Sequence, residues 1–355
     1  APSLLSFVPK VDAPWAFSMA MSTHTSNVHD RVAAWPQITF AALRDWIDRF
    51  DLSEWNVRPG DRVALLIANG HELAASLLAT MARYCAVPLD PGVPPLHLTA
   101  EVQARAARAL IVLQSTPEAA KVQSAGESAP LGAAVVQLKS STTQFRLPQL
   151  PPSPSESIHT LGRASTVLNG PADLVLLLRT SGTTGAPKSV GFSLRRLLTA
   201  GAGIATSLQL TSDDSGVSML PLHHVGGISC NLVAPLLASS PMRFARSFDA
   251  SRFFDVLALD VSWIYLVPTL WSLVLQYAVE VSAKAQPHLS FVPHSSHSIG
   301  LWTPAHSILA LVFHVYSILL YARIGNGSAC GLSEMRAARC HTSLPLTCTG
   351  SLAKA

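Results

Sequence analysis

From Gln37 onward the chain alternates short apolar runs with amphipathic stretches. Apolar positions at helical spacing predict a helix over Phe40 to Phe50, and Arg58-Pro59-Gly60-Asp61 predicts the turn after it. RVALLIA, Arg62 to Ala68, reads as a buried strand and Glu72 to Tyr84 as an apolar helix. Ala86 to Leu89 reads as a second short strand, before a Pro-rich turn over Asp90 to Pro95. This is a βαβ unit. A helix over Leu98 to Ala107 and a strand over Ala109 to Leu113 extend the alternation. The fold class is therefore α/β, with a mostly parallel sheet flanked by helices, and such sheets bind ligands at their strand ends.

Between Gln114 and Gly170 the period fades, and PQLPPSPSES, Pro148 to Ser157, is rich in Pro and Ser, so this stretch reads as irregular surface structure. Alternation resumes with a strand over Asp173 to Leu178, a Gly-rich turn, a helix from Ser193, a strand over Val217 to Leu220 and a helix after Gly227. Helix, strand and helix follow over Phe253 to Leu259, Trp263 to Val267 and Thr269 to Tyr277. No repeat recurs at a fixed period. Beyond Val281 the pattern weakens, and HSSHS, His294 to Ser298, interrupts it. The expected organisation is an N-terminal segment over residues 1–36, a main domain over 37–280 and a divergent segment over 281–355.

The 355 residues are 49% hydrophobic and 13% charged, and mean hydropathy is +0.33, which excludes a disordered or fibrous chain. The net charge of +4 is spread thinly, so no nucleic-acid surface is expected. Cys85, Cys230, Cys330, Cys340 and Cys348 lie far apart without CxxC spacing. That fits the cytoplasm or another reducing intracellular compartment, with Cys85 and Cys230 as inert core thiols. Ile299 to Tyr321 has the length of a bilayer span, but Pro304, His306 and His314 interrupt it and its flanks lack clustered basic residues, so no span is expected.

The chemistry concentrates at TSGTTGAPK, Thr180 to Lys188. A strand runs into this stretch, where a sheet delivers a ligand loop. Gly182 and Gly185 let the backbone approach an anion. Thr180, Ser181, Thr183 and Thr184 add hydroxyl donors, and Lys188 supplies a compact positive charge, a set suited to a polyphosphate. The GxxxxGK[ST] loop of P-loop NTPases fails here, because Pro187 stands where that loop needs glycine and has no N–H to offer phosphate. The plain alternative is a Ser/Thr/Gly surface loop.

Thr180 to Val190, TSGTTGAPKSV, resembles the signature of the adenylate-forming superfamily of acyl-CoA synthetases, peptide-synthetase adenylation domains and luciferases. LPLHHVGG, Leu220 to Gly227, resembles the family segment whose histidine lies beside the acyl substrate, here His224. A lone histidine otherwise defaults to a structural role. Val57 to Ala79 and Ala86 to Pro95 resemble the family's N-terminal subdomain, and Val267-Pro268-Thr269 matches its VPT turn, so the resemblance covers about Gln37 to Tyr277.

The resemblance implies the large N-terminal domain of that fold, and an enzyme that joins a carboxylic acid to the α-phosphate of ATP. The acyl group then passes to coenzyme A or a carrier phosphopantetheine, and an acyl carrier protein is a possible partner. A place in fatty acid metabolism is implied with it. By the same resemblance His224, Lys188 and Glu334 are catalytic. Thr180, Ser181, Gly182, Thr183, Thr184, Gly185, Lys188 and Ser333 hold the nucleotide, and Thr184 and Glu334 meet Mg²⁺. Ser333 and Glu334 come from CGLSE, Cys330 to Glu334, which matches the family's (Y/F)Gx(T/S)E with cysteine in place of the aromatic ring. The small C-terminal domain with its catalytic lysine has no counterpart after Glu334, so the chain is expected to be incomplete and impaired. The alternative is a noncatalytic nucleotide-binding or interaction remnant of the family.

Overall fold

In the computed structural model the described residues are 2–17, 37–140, 145–151, 167–180, 188–257 and 261–285. The chain divides into two units, 1–274 and 275–355, and both sheets belong to the first. In chain order, β1 (Pro14–Phe17) and β2 (Gln37–Thr39) precede α1 (Phe40–Arg49). Next come β3 (Arg62–Leu65), α2 (His71–Arg83), β4 (Cys85–Pro88), α3 (Pro95–Ala104), β5 (Ala109–Leu113), α4 (Pro117–Ser128) and β6 (Ala134–Leu138). The hairpin β7 (Leu174–Thr180) and β8 (Lys188–Ser193) leads into α5 (Leu194–Ser207) and β9 (Gly216–Ser218). Then α6 (Val225–Ile228), a π turn over Ser229–Val233 and α7 (Ala234–Ala238) form one interrupted helix. β10 (Met242–Phe244), α8 (Ala250–Leu257), β11 (Trp263–Ile264) and α9 (Pro268–Ala285) complete the described elements.

The larger sheet has the order β6-β5-β3-β4-β7-β8, parallel throughout except for the antiparallel β7–β8 pair. Its central strands are buried on both faces, and alternate residues point to opposite cores. Val63 and Leu65 with Ala109, Ile111 and Leu113 join one core, while Ala64, Leu66, Leu110 and Val112 join the other. The smaller sheet, β11-β9-β10-β1-β2, is parallel except for β1–β2. Strand β1, from the N-terminal segment, lies inside this sheet between β10 and β2.

Helix α2 is buried along its whole length after His71, as a helix that is apolar all round must be. Leu73, Leu77 and Met81 share one core with Val63 of the larger sheet and with Trp15, Met242 and Phe244 of the smaller. The larger core therefore reaches both sheets, with α2 inside it. Arg83, at the end of α2, is buried because its guanidinium donates to the Ile47 and Asp48 carbonyls, each at 2.7 Å, at the C-terminal end of α1. A third core, with Val217, Phe253, Val256 and Leu266, packs against the smaller sheet.

The structure corrects the reading of 114–170 as wholly irregular. Thr116 caps α4, its hydroxyl accepting from the Ala119 amide at 3.3 Å, and Pro117 occupies the first turn. Strand β6 then pairs parallel with β5 over five positions, completing another βαβ unit. The π turn follows from Pro235, which has no N–H with which to close an α-helical bond to the Asn231 carbonyl. No helix among the described residues is long and apolar enough to cross a membrane. The 299–321 stretch and the whole segment from 286 lie outside them.

Candidate functional site

Parallel strands bring their C-terminal ends to a common rim. β3 runs on to Asn69, β4 to Asp90 and β7 to Thr180, while β9 and β10 of the smaller sheet run on to Leu220–His224 and to Ala245 and Arg246. Contacts join the two sets. The Asn69 side-chain oxygen accepts from the Leu222 amide at 2.9 Å, and its Nδ2 donates to the Leu220 carbonyl at 3.3 Å and the Ala245 carbonyl at 2.7 Å. His223 Nε2 lies 3.9 Å from a carboxylate oxygen of Asp90.

Thr180 and Lys188 sit opposite one another at the mouth of the β7–β8 hairpin, both exposed. The Thr180 hydroxyl donates to the Lys188 carbonyl at 3.2 Å. Lys188 therefore opens a returning strand, where the sequence reading ran from the Gly-rich turn to a helix at Ser193 with no strand between. A hairpin also separates this stretch from the strand–loop–helix of a P-loop, in agreement with Pro187. The neighbouring Arg179 is ion-paired with Glu101, which also holds Arg105, so its charge is partly neutralised at the strand end. Ser181, Gly182, Thr183, Thr184 and Gly185 lie outside the described residues, as do Ser333 and Glu334. Among the described residues no group of three His, Cys, Asp or Glu side chains comes together to hold a metal, and the two residues expected to meet Mg²⁺, Thr184 and Glu334, are outside them.

His224 precedes α6 in extended backbone (φ −113°, ψ 150°), and its ring is exposed. The turn behind it is tight. A Cβ on Gly227 would stand 2.2 Å from the Pro221 carbonyl oxygen, so only glycine lets α6 fold against the turn. The ring of His223 stands 4.4 Å from that of His224. Burial lowers the His223 pKa below its ordinary 6.5, the adjacent His224 lowers it further, and Asp90 opposes both. At neutral pH His223 is thus an uncharged ring beside an exposed imidazole.

A second cluster backs the same turn. Glu72, buried in the first turn of α2, accepts from Arg246 Nη2 at 2.8 Å, and His71 Nδ1 lies 3.2 Å from its other oxygen. His71 stacks at 4.2 Å on Phe145, and its Nε2 lies 3.1 Å from the Arg146 carbonyl. Burial lowers the His71 pKa, with Glu72 acting the other way. Asn69, Glu72, Asp90 and His223 were not among the site residues expected from the sequence. Asn69-Gly70 is a turn signal, but nothing local says that its amide faces a segment about 150 residues away.

Of the residues expected at the site, the structure brings Thr180 to Lys188 in one hairpin and presents His224 on a turn from the other sheet. Cys85 and Cys230 are buried free thiols. Burial raises the Cys85 pKa to about 11, in keeping with an inert core role.

Similar proteins have this architecture. The chain is 29% identical over 270 residues to an oxalate–CoA ligase of Arabidopsis thaliana, covering 74% of this chain and 51% of that one. It is 30% identical over 214 residues to a sulfoacetate–CoA ligase of Cupriavidus necator, covering 59% and 40%. The ATP-bound crystal structure of MatB from Rhodopseudomonas palustris superposes with a TM-score of 0.58 at 22% identity, covering 77% of this chain and 51% of that one. An acyl-CoA synthetase of Brucella canis gives 0.59 at 21%, covering 81% and 51%. Both structural likenesses show the fold, a large N-terminal domain of parallel sheets flanked by helices. The chain spans about half the length of the curated relatives it matches. The family model for AMP-binding enzymes matches residues 21–334, and with the hairpin, the His224 turn and the shared architecture in agreement, the chain belongs to the AMP-binding enzyme family.

Proposed function

We propose that this chain supplies the nucleotide- and acid-binding domain of an ATP-dependent acid–thiol ligase. It activates a carboxylic acid as the acyl-adenylate, for transfer to coenzyme A or to the phosphopantetheine of an acyl carrier protein. The supporting observation is the rim itself, where the 180–188 hairpin and His224 converge on the C-terminal ends of two parallel sheets. Attack of a carboxylate on a phosphate brings two anions together, so the domain must neutralise phosphate charge and exclude water. Lys188 offers an exposed ammonium at the hairpin mouth. Thr180 and the residues expected from 181 to 185 add hydroxyl and backbone donors.

His224 presents an exposed imidazole on the turn that follows β9 of the smaller sheet, and by the family resemblance it would serve the acid's carboxylate or the incoming thiol as a donor. The uncharged His223 beside it keeps the local charge from rising. Mg²⁺, if bound, would neutralise phosphate charge, and the residues proposed to hold it are Thr184 and Glu334. We place the protein in a reducing intracellular compartment, on its buried, unbridged Cys85 and Cys230.

The test is titration of the 355-residue chain with ATP, alone and with short mono- and dicarboxylic acids, together with ATP–pyrophosphate exchange. Saturable ATP binding that Lys188→Ala weakens supports the reading, and exchange with one of the acids identifies the substrate class. Binding unaffected by Lys188→Ala would overturn it. Binding without exchange by any acid would favour a nucleotide-binding chain that does not itself activate acids.

A further inference from the structure

We infer that Asn69 is a positioning residue for His224. Resting on the proposed function above, this assigns the β3–α2 turn a role in the reaction as well as in the fold. The side-chain amide of asparagine has one acceptor oxygen and two N–H donors. At Asn69 all three are used on backbone, and all three partners lie in the segments that follow β9 and β10 of the smaller sheet: the Leu222 amide, the Leu220 carbonyl and the Ala245 carbonyl. Leu222 is two residues before His224. The amide therefore holds backbone two residues before the exposed His224 ring.

Each alternative at position 69 fails for a stated reason. Aspartate keeps the acceptor for Leu222 but loses both donors and sets a negative charge against two carbonyl oxygens. Alanine leaves all three backbone groups without their partner. Glutamine carries the same amide one methylene farther out and misses the register.

The turn reinforces the grip. Gly70 has φ +151°, a backbone conformation that residues with a side chain rarely adopt, so the turn between Asn69 and Glu72 needs glycine there. Glu72 in turn holds Arg246, the residue after Ala245, at 2.8 Å. One four-residue turn thus fixes the chain after β9 and the chain after β10. His224 itself has no side-chain capping bond to α6, so its orientation depends on the turn below it. The control is provided within the same molecule. Asn169, which is buried where Asn69 is half-buried, donates from Nδ2 to the Met81 and Tyr84 carbonyls at 3.0 Å each, the same chemistry on segments that carry no proposed site residue.

The experiment compares Asn69→Asp with Asn169→Asp in the 355-residue chain, by NMR-detected amide exchange and the ring resonance of His224. Both variants lower the unfolding midpoint. If Asn69 positions His224, only Asn69→Asp, by losing both donors to the Leu220 and Ala245 carbonyls, loosens the turn enough to speed exchange of the Leu222 amide by about tenfold or more, and only it moves the His224 ring resonance. Where exchange activity is present, Asn69→Asp lowers kcat for pyrophosphate exchange while KM for ATP stays near that of the unmodified chain. Equal behaviour of the two variants at Leu222 and His224 overturns the inference and leaves Asn69 a structural residue. Should Asn69→Asp not fold, Asn69→Ser is measured in the same way. The exchange and NMR arms need no turnover. A chain that binds no ATP sinks the proposed function, while the Leu222 and His224 readouts still decide whether Asn69 holds the turn.

Discussion

The β7–β8 hairpin is closed at its base by the Thr180–Lys188 pair, with both side chains exposed, whereas the turn before α6 is gripped by the Asn69 amide and wedged against Gly227. The first is anchored by strand pairing at its ends, the second by side chain and packing at its middle. Anchoring at the middle sets one side chain at one place. On the proposed function, a polyphosphate and a single reacting carboxylate would make two different demands.

Substitutions should separate the two modes. Gly227→Ala has the largest expected effect, because the added Cβ would overlap the Pro221 carbonyl at 2.2 Å. A loss of about 3 kcal/mol in unfolding free energy is expected from such overpacking, measured by denaturant titration, and an unchanged midpoint would show that the turn gives way. Lys188→Ala should leave stability within about 0.5 kcal/mol. It should weaken ATP binding roughly tenfold to a hundredfold, as expected for a charge-assisted hydrogen bond of about 1.5–3 kcal/mol, read by calorimetry. If instead the affinity holds and the stability falls, the contrast between the two turns is lost.

Acid should act on the second region. His223 and His71 are held below their ordinary 6.5 by burial, so the unfolded chain binds more protons than the folded one as pH falls through that range. Stability is therefore full above about 6.5 and declines toward lower pH until the folded pKa values are passed. Replacing either ring by Phe should flatten the decline between neutral and mildly acid pH, and a slope unchanged in both variants would place its source elsewhere. Thr180→Val has the smallest expected effect. It removes one exposed 3.2 Å hydrogen bond to the Lys188 carbonyl, about 0.5 kcal/mol, and keeps a β-branched residue in the strand. A loss several times larger would mean that the hairpin base is more tightly coupled than its geometry indicates.

The central strands were legible because burial on both faces writes continuous apolar runs such as Arg62 to Ala68, although β3 itself stops at Leu65. Strand β10, Met242–Phe244, was not, since Arg243 stands in its middle and breaks the apolar run that marks the other buried strands. Helix α4 was passed over in spite of Thr116-Pro117, a start signal outweighed by the polar composition around it. At the site, Thr180, Lys188 and His224 could be named because their chemistry is local to a motif. Asp90 and His223 meet only across two sheets, and no local pattern records a distance of 3.9 Å between residues that far apart.

The three partners of Asn69 lie 151, 153 and 176 positions farther along the chain. At about 5–20 residues per second of synthesis, the last of them leaves the ribosome about 9–35 s after Asn69 does. For that interval the Asn69 amide has only water to bond, although β3 itself can already pair with β4 and β5, so the larger sheet can form before the turn that carries His224 is gripped.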